Sequence, residues 1–134
     1  MRTFLAAIAA LPLLLLLPGC PLACGYEGQG DRTFVRGTDS MILCTNGGYA
    51  ATLSTGIVEG RYTAEVVTGV EVFHATLGPS GAAAFTLTAH GDGTATAPEL
   101  GALAWEEVHL DETELHYAHM QCLDVETRDW WTAL

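Results

Sequence analysis

Apolar and polar side chains alternate in short runs through most of the chain, and glycine-bearing turns cut these runs at regular intervals. Tyr62, Ala64 and Val66 fall on one face while Arg61, Thr63 and Glu65 fall on the other, the two-residue period of a half-buried strand. Phe73, Ala75 and Leu77 share a face in the next run, and Ala83, Phe85, Leu87 and Ala89 then do so against Thr86, Thr88 and His90. The punctuating turns are Asn46-Gly47-Gly48, Ser54-Thr55-Gly56, Thr68-Gly69, Gly78-Pro79-Ser80-Gly81 and Gly91-Asp92-Gly93. Strong helix formers at a 3.6-residue period are absent until residue 104. The pattern predicts an all-β domain, or a mainly β one with a short C-terminal helix: a small antiparallel sandwich or barrel of about seven or eight strands in meander order.

Two local signals compete over the last thirty residues. Val108-His109-Leu110, Asp111-Glu112-Thr113 and Glu114-Leu115-His116-Tyr117 read as strand, turn and strand. Alternatively, Asp111 caps a helix with Glu114 reaching back, and Leu115, Ala118, Cys122 and Val125 line one helical face. We take the hairpin as the expectation.

A different pattern opens the chain. Arg2 precedes a 14-residue apolar run, Phe4 to Leu17, which ends at Pro18, Gly19 and Cys20. This is the layout of a secretory leader, and the run is shorter than the roughly 18 to 20 residues a spanning helix needs. Leu17-Pro18-Gly19-Cys20 resembles the lipobox of bacterial lipoproteins, with leucine three before the cysteine and a small residue one before it. Pro21-Leu22-Ala23-Cys24 is the alternative match. The resemblance implies a signal peptide over 1–19, Cys20 (or Cys24) as the lipidated first residue, and attachment to the membrane through the N-terminal lipid. It also implies an envelope location, with the outer membrane favoured because no aspartate follows Cys20. Residues 20–31, glycine-rich from Gly25, then read as a lipidated N-terminus and flexible stem, and 32–134 as one β-rich domain.

Charge narrows the partners. The formal charge is −11, and all five basic residues are arginine. Nucleic acid and anionic lipid headgroups are poor partners for such a surface, because binding them relies on basic residues displacing counterions. Eight of the sixteen acids lie between Glu106 and Asp129, the pattern of a solvated acidic face.

Cys44 and Cys122 sit at the margins of predicted elements near opposite ends of the domain sequence. In an oxidising compartment a disulfide between them is the natural outcome, and closing so long a loop is worth about 4 to 4.5 kcal/mol in the chain-entropy model. His109, His116 and His119 precede Cys122 closely enough to raise a zinc or copper reading. On a strand, however, His116 and His119 point to opposite faces and the disulfide consumes the thiol, so no metal or other cofactor is expected. No Gly-x-Ser-x-Gly or phosphate-cradling fingerprint is present, and catalysis would need a site assembled in space. Trp130 and Trp131 stand together near the C-terminus, either docked on the core or forming a binding surface. The function expected is a binding or structural accessory in the envelope with a possible protein partner there. A periplasmic metal-binding protein and a small hydrolase are the alternatives.

Overall fold

The structure, a computed structural model, describes residues 31–132. Its alternating runs become eight strands in meander order: β1 (Arg32–Arg36), β2 (Asp39–Leu43), β3 (Gly48–Leu53), β4 (Gly56–Val67), β5 (Val70–Thr76), β6 (Ala83–Ala89), β7 (Thr94–Thr96) and β8 (Trp105–Val108). Every neighbour pair is antiparallel, and β8 pairs back onto β1 through Thr33 opposite Val108, so the sheet closes into a barrel. Closure pairs the first strand with the last, so neither is left as an open edge. The β4–β5 hairpin turns on Thr68 and Gly69 at φ of 49° and 82°, the paired positive values that match the twist of a tight hairpin.

One face of each strand fills the barrel. Phe34, Met41, Leu43, Tyr49, Phe73, Phe85, Leu87 and Trp105 are buried there with alanines 51, 75, 89, 95 and 97. Small alanines opposite large aromatics let an eight-stranded interior pack solid. Tyr49 and Phe85 meet edge to face at 5.3 Å between centroids, and Tyr49 Oη donates to Thr76 O at 2.8 Å. Burial pushes the Tyr49 phenol well above its usual range, so the hydroxyl stays a donor. Backbone approach is equally close at Gly60, where a Cβ would stand 1.8 Å from Thr76 O and no larger residue fits.

The hairpin expected after Val108 does not form. The chain instead makes α1 (Glu112–Glu126). The reason is topological and local at once. β8 is already paired on both sides, with β7 and with β1, so no edge is left for the next segment to join. Asp111 and Glu114 meanwhile form a capping box: Glu114 N–H donates to Asp111 Oδ1 at 2.8 Å, and Asp111 N–H donates to Glu114 Oε1 at 3.1 Å. The helix lies outside the barrel on β2 and β3, where Cys122 and Val125 pack on outward-facing Ile42, Cys44 and Ala50 in a second, smaller core.

Candidate functional site

The alternation of β1 puts Arg32, Phe34 and Arg36 on its inward face, one arginine towards each mouth of the barrel. At one mouth Arg32 Nε and Nη2 donate to both oxygens of Glu107 at 2.8 and 2.9 Å, and Nη1 donates to Glu71 at 2.8 Å. The guanidinium lies 5.3 Å from the Phe73 ring centroid and 5.8 Å from that of Phe34. Its hydrogen bond holds the Glu107 carboxyl below its ordinary range, while Glu107 holds the arginine cationic. A cleft of about 250 Å³ opens above this cluster, lined also by Gly69, Gly91, Gly93 and Thr94.

At the other mouth Arg36 Nη2 donates to Asp39 at 2.9 Å and lies 4.4 Å above the ring of fully buried Trp105. Two open basins of about 390 and 420 Å³ adjoin it, with exposed Leu103 lining both. The Trp105 indole N–H is buried there without an acceptor among the described residues. Both clusters lie over a filled interior, so they act as plugs at the two ends of the core.

The other two arginines among the described residues, Arg61 and Arg128, hold the C-terminal segment. Arg128 forks onto Glu59 at 2.8 and 2.9 Å. Arg61 stacks 4.1 Å from the Trp131 ring centroid and donates to Trp131 O. Trp130 and Trp131 are half-buried against the second core. A Cβ at Gly78 would come 2.5 Å from the Trp130 ring, and one at Gly48 would come 2.9 Å from Trp131, so glycine makes room for both indoles.

The junction of helix and barrel gathers the most chemistry. Cys44 and Cys122 form a disulfide with Cα atoms 5.8 Å apart, tying the end of β2 to the middle of α1. Beside it lies Asp31, whose side chain is only 2% exposed. Asp31 accepts from Thr45 N–H at 2.7 Å, and its Oδ2 stands 3.8 Å from Cys122 Sγ and 3.9 Å from His119 Nδ1. A disulfide sulfur carries no proton, so the sulfur contact is van der Waals. Tyr62 Oη donates to Cys44 O at 2.6 Å, and burial together with the Asp31 charge raises the phenol.

Of the residues singled out from sequence, Cys44, Cys122 and His119 therefore meet, whereas His109 lies exposed between β8 and α1. His116 is exposed on α1 with its ring 5.8 Å from that of Tyr117. Cys20 and Cys24 lie outside the described residues. Asp31 is the site residue that sequence reading missed, having been assigned to the stem. A signal for it existed: a two-residue turn at Gly37-Thr38 pairs Arg36 with Asp39, and that register carried back five residues sets Asp31 beside Cys44. Among the described residues no group of three metal-ligating side chains stands ready for an ion, and the two sulfurs are bonded to each other.

No family model, curated protein or solved structure matches the chain.

One surface feature stands apart from these plugged and stapled regions. The first half of β4, Gly56 to Arg61, pairs with β3, and the second half, Tyr62 to Val67, pairs with β5. From Ala64 to Val67 the strand is exposed, and no described strand is registered against its outer edge. Val66 and Val67 are 69% and 45% exposed at this end.

Proposed function

We propose that this chain is an exported, lipid-anchored envelope protein whose barrel is a rigid scaffold presenting a protein-contact surface. Export and anchoring are supported by Arg2, the Phe4–Leu17 run and the lipobox-like Leu17-Pro18-Gly19-Cys20. The Cys44–Cys122 disulfide adds to this, because such bonds persist where the compartment oxidises thiols. An interior packed with Trp105, Tyr49, Phe34 and Leu87 favours a scaffold over a carrier of internal ligands.

The observation that carries the contact reading is the apolar end of β4, with Val66 and Val67 in water beside an edge free of described partners. Exposed strand edges of this kind accept an extended segment from another chain through backbone hydrogen bonds. The net charge of −11 favours a partner strand that is basic or uncharged over an acidic one. A photo-crosslinking amino acid placed at Val66 in cells tests the reading. It should capture a discrete envelope protein, while the same probe at exposed Thr52 on β3 should not. Equal, diffuse labelling from both positions would contradict it. Anchoring is tested separately: Cys20→Ala should release the protein from the membrane fraction, and retention of that variant with release of Cys24→Ala would move the lipid to Cys24.

A further inference from the structure

We propose that the junction between helix and barrel is a latent metal site: in the dithiol form, Cys44, Cys122, Asp31 and His119 bind one zinc-like divalent cation, and the disulfide excludes it. The donors come from three places that the fold brings together, ahead of β1, behind β2, and from two positions three residues apart on α1. Two thiolates, an imidazole and a carboxylate make a borderline-soft set suited to zinc. Metal–ligand lengths of about 2.0 to 2.3 Å place tetrahedral donors about 3.3 to 3.8 Å from one another. Asp31 Oδ2 stands 3.8 Å from Cys122 Sγ, at the upper end of that range, and 3.9 Å from His119 Nδ1, just beyond it. The two sulfurs must separate to bind an ion, since here they share a bond.

A buried carboxylate sits beside the disulfide. Among the described residues Asp31, 2% exposed, accepts one backbone hydrogen bond, lies 3.9 Å from His119 Nδ1 and faces a sulfur that cannot donate. A cation at this point would satisfy its second oxygen.

The switch balances as thiol–disulfide exchange. A dithiol reductant attacks the Cys44–Cys122 bond, gives up two electrons and leaves as its own disulfide, and both cysteines become thiols. Binding of the divalent cation then displaces one proton from each thiol. In reverse, a disulfide oxidant takes the two electrons, the protein disulfide re-forms, and the ion is released.

Cobalt(II) is the probe, because a tetrahedral sulfur-containing site gives it visible d–d and near-ultraviolet charge-transfer bands. Protein purified with its native N-terminus is reduced anaerobically with a phosphine and titrated. The reduced form should bind one Co²⁺ per chain with both sets of bands, and the oxidised form none. Asp31→Asn and His119→Gln, each shown to be folded while oxidised, should weaken binding of the reduced form at least about tenfold. Excess Zn²⁺ should displace the cobalt and raise the melting temperature of the reduced protein. Stoichiometric binding unaffected by both variants, no saturable binding to the reduced chain, or a reduced chain that stays unfolded with Zn²⁺ would each overturn the proposal.

Discussion

Arg32 and Glu107 meet as a two-pronged fork across the seam that closes the barrel, at 2.8 and 2.9 Å. Glu107 lies opposite Phe34 in the β1–β8 ladder, so Arg32 reaches it along the diagonal, and its third nitrogen reaches across to Glu71 on β5. The last and first strands are thus tied to each other and to a third wall. Partial exposure to water limits the fork to about 1 kcal/mol.

Glu107→Gln should therefore cost about 1 kcal/mol near neutral pH, and the cost should depend on pH in a defined direction. Arg32 lowers the Glu107 pKa in the folded state, so the stabilisation is present above the unfolded carboxylate value of about 4.3 and fades as pH falls through the folded value. Urea denaturation of both proteins from pH 7 to 3 should show a constant difference that shrinks below about pH 4.5. A difference that grows in acid would contradict the pairing.

Loss of the disulfide tests how far the helix depends on its covalent tie. Cys44→Ala with Cys122→Ala should lower unfolding free energy by up to about 4 kcal/mol, because the bond closes a separation of 78 residues. The barrel core does not include either cysteine. The double variant should then keep its far-ultraviolet strand signal while α1 becomes the first segment cut by protease.

The capping box makes a smaller claim about the same helix. Asp111→Ala removes the acceptor for Glu114 N–H and should cost about 1 kcal/mol, with faster hydrogen exchange confined to the first turn of α1. Unchanged exchange there would mean that the cap does not hold the helix start.

Gly78→Ala probes the tryptophans at the C-terminus. Its methyl group would come 2.5 Å from the Trp130 ring, so the indole must leave its seat, at a cost of about 1 to 3 kcal/mol. Tryptophan fluorescence should shift to the red. An unchanged spectrum and melting temperature would show that Trp130 does not rest on Gly78.

Much of the barrel was legible because alternation and glycine turns are local signals. Phe73 and Ala75, then Phe85, Leu87 and Ala89, point inward as the two-residue period required. Leu77 and Ala83 do not, since the β5–β6 register shifts between Ala75 and Thr76, and a bulge leaves no mark on simple alternation. Closure was not legible either: nothing in the residues of β1 or β8 separately states that Thr33 will face Val108.

The helix was half legible. Asp111 and Glu114 stood at capping-box spacing, and Cys122 and Val125 form its buried face. Tyr117, Met120 and Leu123 on the exposed side blur the apolar stripe, so the local pattern could not outweigh a hairpin without knowing that β8 was paired on both sides. Asp31 was hidden for a similar reason, since its burial depends on β2 and α1 arriving beside it.

The central claim, a disulfide-closed barrel tethered by lipid, is tested most directly by intact mass. The protein should be made with its own leader in a bacterial host and weighed before and after reduction and alkylation. The account predicts a tri-acyl mass on a chain beginning at Cys20, with two further alkylations appearing only after reduction. An unlipidated chain whose Cys44 and Cys122 react before reduction would contradict it.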